Sequence, residues 1–125
     1  MVDLVIEATE YSPFVSLNSS TGIIEFSGYG KMSDAQEFFE PIHEWIKNYL
    51  ISPQPLTIWV CKLKGYNNRF GYWLRNLIDI LNRSLKDKGQ FEVHWCYVEE
   101  DENILGVGED LEDMLNNVKF KFIEY

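Results

Sequence analysis

Apolar residues recur along this 125-residue chain with two spacings, and the switches between them predict alternating strands and helices. Tyr11 to Leu17 is rich in aromatic and apolar residues and predicts a strand. The turn formers Asn18-Ser19-Ser20-Thr21-Gly22 follow, and then Ile23, Ile24 and Phe26, so residues 11–28 predict a hairpin. Gly28-Tyr29-Gly30 ends it. Ser33 is placed to cap a helix, with Gln36 three residues later completing a capping box. Phe38, Ile42, Trp45, Ile46 and Tyr49 then share one helical face, opposite Glu37, Glu40, Glu44 and Lys47. Pro41 falls in the second turn, where it removes a backbone donor.

Ser52-Pro53-Gln54-Pro55 breaks the chain. Leu56 to Leu63 is apolar except at Lys62 and suits a central strand. Gly65 to Asn68 predicts a loop, with Asn68 as a helix cap and Gly65 easing the turn. The helix that follows runs to about Asp87, carries Phe70, Trp73, Leu74, Leu77, Ile78, Leu81 and Leu85 on one face, and stops at Gly89. Phe91, Val93, Trp95 and Tyr97 predict a strand covered mainly on one side. An acidic loop, a short helix near Glu109 to Asn116 and a last strand through Phe120, Phe122 and Tyr125 complete the order β-β-α-β-α-β-α-β. That order predicts one α/β domain over residues 1–125, a mixed and largely parallel sheet of about five strands with helices packed on it.

Composition narrows the function. At 46% hydrophobic and 15% aromatic the chain can fill one sizeable core. A net charge of −9 argues against nucleic acid and anionic membrane as partners. Residues 1–10 lack the basic and apolar regions of a signal peptide, and no apolar run is long enough to span a bilayer, so the cytoplasm is the expected location. Cys61 and Cys96 each lie in an apolar stretch and are expected to be buried free thiols.

Asp101, Asn103, Gly106 and Glu112 fall at calcium-loop spacings, but Leu105 stands where an oxygen ligand is required. A solvated acidic turn leading into a helix is the better account. His43 and His94 have no spaced partner, and no nucleophile elbow or phosphate loop is present, so neither metal, cofactor nor catalysis is expected. The charge distribution is more telling. Residues 62–88 hold Lys62, Lys64, Arg69, Arg75, Arg83, Lys86 and Lys88 against Asp79 and Asp87, which suggests a docking surface for an acidic partner.

The order and spacing of several pieces also carry a resemblance. They are Ser12-Pro13, Gly22, Gly28, then Phe39, Pro41 and Trp45, the strand ending at Leu63, and the helix opening at Asn67 with Leu74 and Leu77. Trp95-x-Tyr97, Asp101 and Gly108-Glu109 complete the set. Over almost its whole length the chain resembles the SiaC family of bacterial regulatory phosphoproteins, similar in fold to STAS domains. The resemblance implies a partner-switching protein, modified on Ser or Thr by a dedicated kinase and reset by a phosphatase. Its unmodified form binds a target, which in the best-known members is a diguanylate cyclase. The acceptor is implied at the start of the helix after Leu63, where this chain has Asn68 followed by Arg69 and Phe70. Asn cannot accept phosphate, which implies a chain held in the unphosphorylated-like state.

The sequence thus points to a non-enzymatic regulator that binds a signalling enzyme, kinase or phosphatase through Gly65, Tyr66, Asn67, Asn68, Arg69, Tyr72 and Arg75. The alternative is a small-molecule binder or enzyme with a cleft lined by Trp59, Trp73, Trp95 and Tyr97.

Overall fold

In the computed structural model, which describes residues 1–125, the chain runs β1 (Leu4–Ile6), β2 (Phe14–Asn18), β3 (Ile23–Gly30), α1 (Ala35–Tyr49), β4 (Leu56–Tyr66), α2 (Asn68–Leu85), β5 (Gln90–Tyr97), α3 (Glu102–Met114), β6 (Lys119–Glu124). The six strands form one sheet in the order β1-β2-β3-β4-β5-β6. The first three are antiparallel and the rest parallel. Each parallel step crosses over through one helix. Right-handed crossovers that step the same way along a sheet deliver their helices to one face.

Residue contacts bear this out. Phe39 of α1 and Phe70 of α2 both lie against Phe26 of β3, with ring centroids 6.0 and 6.3 Å away. Gly108 of α3 sits directly on Trp95 of β5, whose indole Nε1 donates to the Ile104 carbonyl at 2.8 Å. A Cβ at 108 would come within 2.4 Å of that indole nitrogen, so the helix rides against the ring only because this residue has no side chain. The covered face of the sheet is correspondingly apolar: Val15, Leu17, Ile24, Phe26, Trp59, Leu63, Val93 and Trp95 are all buried. The expected inward face of α2, Phe70, Leu74, Leu77 and Leu81, is buried against it.

The helix-free face alternates with these positions. One row across it is Ser16, Glu25, Val60, His94 and Lys121, all on neighbouring strands. Both cysteines are free and buried, as the sequence predicts. No helix is long and apolar enough to cross a membrane.

Several expectations are corrected. The sheet has six strands, since Leu4–Ile6 adds antiparallel to β2 and the Trp45 indole donates to the Val2 carbonyl at 3.0 Å. Three residues are too few to show a period of two. The α1 cap is Asp34, whose Oδ1 accepts from the Glu37 N–H at 3.1 Å; Ser33 lies one residue too early to reach it. The third helix begins at Glu102, well before Glu109, capped by Asp101 through the Ile104 N–H at 3.0 Å. The supposed calcium loop is therefore a cap and a helix, whose side chains radiate from its axis and cannot converge on one ion. β4 continues through Gly65 to Tyr66 where a loop was expected. It does so by a register shift opposite Gly28, which takes a φ of 114° that glycine alone adopts easily.

Candidate functional site

The extended β4 delivers the chain directly into α2, and one residue fixes the junction. Asn67 caps α2, with Oδ1 accepting from the Phe70 N–H at 2.9 Å. Its Nδ2 donates to the Met32 carbonyl at 3.0 Å, and its backbone N–H donates to the Gly30 carbonyl at 2.9 Å. Asn67, and not Asn68, is thus the helix cap. It also ties the start of α2 to the segment between β3 and α1. Asn68 is left free as the first helical residue, exposed beside Arg69.

Two clefts adjoin this turn. The first, of 310 Å³, lies between the starts of α1 and α2 and is lined by Ser33, Asp34, Gln36, Asn68, Arg69, Tyr72 and Trp73 among others. The second, of 340 Å³, lies between α2 and α3, with Tyr66, Tyr72, Arg75, Val107, Leu111 and Met114 among its walls. Asn68 and Tyr72 line both. The first is polar; the second has an aromatic and aliphatic surface with Arg75 and Asp110 at its margin.

The Tyr66 ring reaches this second cleft because residue 71 is glycine; a Cβ there would lie 2.8 Å from the ring. The ring packs 5.5 Å from Phe70 and edge-on to Trp95. Burial, reinforced by Cys61 and Asp110, holds its hydroxyl protonated well above the usual tyrosine range. Tyr72 is the opposite case. It is 54% exposed, with its ring edge-on to Trp73, which in turn stacks on Phe39. Met114 is 60% exposed, and Arg75 Nη1 lies 3.3 Å from its sulfur.

Of the residues singled out in the sequence, the structure brings Asn68, Arg69, Tyr72, Tyr66 and Arg75 to the two clefts. Gly65 is a sheet residue opposite Tyr29, and Asn67 is spent on the capping network. The remaining basic residues do not form one surface. Lys62 lies over the Tyr125 ring on the helix-free face, and Arg83 pairs with Asp79 at 3.1 Å. Lys88 donates to the Leu50 carbonyl at the far end of α2, about 27 Å away by the rise of an 18-residue helix. Sequence spacing alone could not show which of these share a face.

The aromatic-cleft alternative is also corrected. Trp59 and Trp95 are fully buried in the core, so the four residues Trp59, Trp73, Trp95 and Tyr97 line no common cavity. Sequence reasoning missed Ser33, Asp34 and Gln36 on the α1 side and Val107, Leu111 and Met114 on the α3 side. Leu111 and Met114 lie inside the short helix that the sequence predicts from about Glu109, and Val107 lies in the stretch it predicts as an acidic loop, so the stripe the three share shows only once the helix is known to start at Glu102.

A charged cluster lies apart, on the helix-free face. Glu92 Oε1 is 3.0 Å from His94 Nε2 and 3.1 Å from Lys121 Nζ, and Oε2 is 3.5 Å from Lys119. His94, expected to stand alone, therefore has a partner. Hydrogen bonds from His94 and Lys121, with the Lys119 charge, hold the Glu92 carboxyl down at about 2. Both its oxygens are engaged, so it is an ion-pair network and not an open acid or base. Burial pushes both cysteine thiols up, the reverse of what a nucleophile needs.

A family model described as SiaC family regulatory phosphoprotein matches residues 6–125. No curated protein matches the sequence. Among solved structures, the chain is similar to SiaC of Pseudomonas aeruginosa in complex with the diguanylate cyclase SiaD, which that SiaC activates. The TM-score is 0.90 at 17% identity, covering 98% of this chain and 100% of that one. SiaC of Pseudomonas aeruginosa in a second structure gives a TM-score of 0.88 at 17% identity over 100% of both chains. The apo form gives 0.89 at 17% identity, over 98% of this chain and 99% of that one.

Proposed function

The chain belongs to the SiaC family of regulatory phosphoproteins, and from that premise we propose that it binds and controls a diguanylate cyclase in the cytoplasm, with no chemistry of its own. The surface proposed for that contact is the first two turns of α2 with the clefts on either side. Tyr66, Asn68, Arg69, Tyr72 and Arg75 supply the contacts, while Gly65 and Asn67 shape the backbone beneath them.

The observation that carries this reading is Tyr72. A large aromatic side chain, 54% exposed, stands on a capped helix and borders two clefts at once. Exposed aromatic and arginine side chains on rigid backbone are the usual anchors of protein interfaces. The apolar walls of the α2–α3 cleft, Val107, Leu111 and Met114, suit the nonpolar face of a partner helix. The test is titration of the purified chain into the diguanylate cyclase of the same organism, reading binding and cyclase activity together. Saturable binding that raises activity, and that Tyr72→Ala weakens, is the expected result. Absence of binding by the folded chain would overturn the proposal.

A further inference from the structure

We infer that β6 is a docking edge at which two copies of this chain pair, strand to strand, into one continuous sheet. The inference goes beyond the proposed function and does not rest on it. β6 is the last strand of the sheet and has no neighbour on its outer side. The Tyr125 N–H is turned inward, onto the Tyr97 carbonyl at 2.8 Å. Backbone groups along a strand alternate in direction, so those of Lys119, Lys121 and Ile123 also point inward. Those of Phe120, Phe122 and Glu124 point outward, off the sheet, where only water or another strand can bond them.

Edge strands are commonly guarded against such pairing by lysines. In β6 the lysines are turned away from the edge. Lys119 and Lys121 stand on the helix-free face and reach back to Glu92 of β5, at 3.5 and 3.1 Å. On the other face Phe120 and Phe122 stack with ring centroids 5.9 Å apart and are only partly buried. Charge favours the same strip. Each chain carries −9, so two copies repel over most of their surface. Around β6, Lys119 and Lys121 balance Glu92 and Glu124, and the edge is locally neutral.

Geometry and charge then select one register. A two-fold axis perpendicular to the sheet pairs the strands antiparallel and keeps each face continuous, so residues of the same face meet. Centred on Phe122, it sets Phe122 beside Phe122 of the second copy and Phe120 beside Glu124. This is the centre at which all three outward residues exchange hydrogen bonds within β6. The phenyl stack then continues across the axis, and Lys121 faces Ile123. Centring on Lys121 would instead set two lysines opposite each other at the closest approach of the ladder. The contact uses up the edge it is made from, so it closes at two copies.

Sedimentation of the full chain from about 1 µM to about 1 mM tests the association. A reversible monomer–dimer equilibrium is expected, weak because the contact is small, with Kd on the order of 100 µM. Amide hydrogen exchange over the same range locates it. The Phe120, Phe122 and Glu124 amides should slow by about fivefold at the highest concentration, while those of Lys119, Lys121 and Ile123, already bonded to β5, should change less. Ile123 is 38% exposed, so a charge can be placed there without damage to the core. Ile123→Lys, set opposite Lys121 on both sides of the axis, should weaken the dimer by about three- to tenfold, and Ile123→Glu should tighten it by about as much. Net charge alone would give the reverse order, since the lysine variant is the less acidic and the glutamate variant the more. A chain that stays monomeric throughout, a dimer whose newly protected amides lie elsewhere, or the reverse order of the two Ile123 variants would overturn the assignment.

Discussion

The inward and outward faces of α2 differ in more than exposure. Inward, Phe70, Leu74, Leu77 and Leu81 are each 0–1% exposed, and the Phe70 ring packs on Phe26 and Phe39. Outward, Asn68, Arg69 and Tyr72 project from the same turns with few intramolecular obligations. A helix whose inner face is so fully engaged cannot easily shift, and that gives the outer side chains fixed positions at no cost to themselves. Changes inside should therefore register as stability and changes outside as affinity.

Leu74→Ala should show the largest effect, a loss of about 2–5 kcal/mol of folding stability from the cavity it leaves. Urea titration measures it, and the molecules still folded should bind the cyclase normally. Tyr72→Ala should cost about 2 kcal/mol or more in affinity while stability changes by less than about 0.5 kcal/mol. A comparable fall in melting temperature would erase the distinction between the faces. Asn67→Ala lies between them. Losing the cap should cost about 1 kcal/mol of stability. Affinity should fall too, because the bond to Met32 that ties the start of α2 to the segment ahead of α1 is gone.

Asn68→Asp gives the sharpest contrast. Asn68 is the first helical residue and α2 has no acid in its first turn. A carboxylate there should raise stability by a few tenths of a kcal/mol through the helix dipole. Affinity for a charge-complementary partner should fall by about 1 kcal/mol. Melting temperature and binding thus move in opposite directions, which no general damage to the fold can mimic.

The smallest effect on α2 should come from acid titration of the helix-free face. The Glu92 carboxyl is held at about 2, below the ordinary 4.5, so its contribution to stability is present above 4.5 and drains away as pH falls toward 2. The urea midpoint of the native chain should drop more steeply over that interval than that of Glu92→Gln. Equal slopes would mean the network contributes nothing.

The inner face of α2 is legible in the sequence because burial imposes a period, and Phe70, Leu74, Leu77 and Leu81 repeat it. The outer face is legible only in part. Tyr72 and Arg75 follow from helical spacing, but their companions Met114 and Ser33 come from segments 39 residues either side, counted from Arg75 and Tyr72 respectively. Nothing in local pattern brings those segments together. The cap positions failed by one residue, Ser33 for Asp34 and Asn68 for Asn67, because adjacent polar residues compete for the cap and only backbone geometry decides. The acidic run from Glu99 misled differently: its charge belongs to a helix start and surface, while Ile104, Leu111 and Leu115 carry the burial.

The order of the sheet has a consequence for synthesis. Each strand pairs with the one made just before it and the one made just after. No strand has to be threaded between two that are already joined. The sheet can lengthen at one edge as the chain leaves the ribosome, each helix closing over the strand pair it connects. Every contact in the ladder is then between recent neighbours, which keeps loop closures short and early edges briefly open.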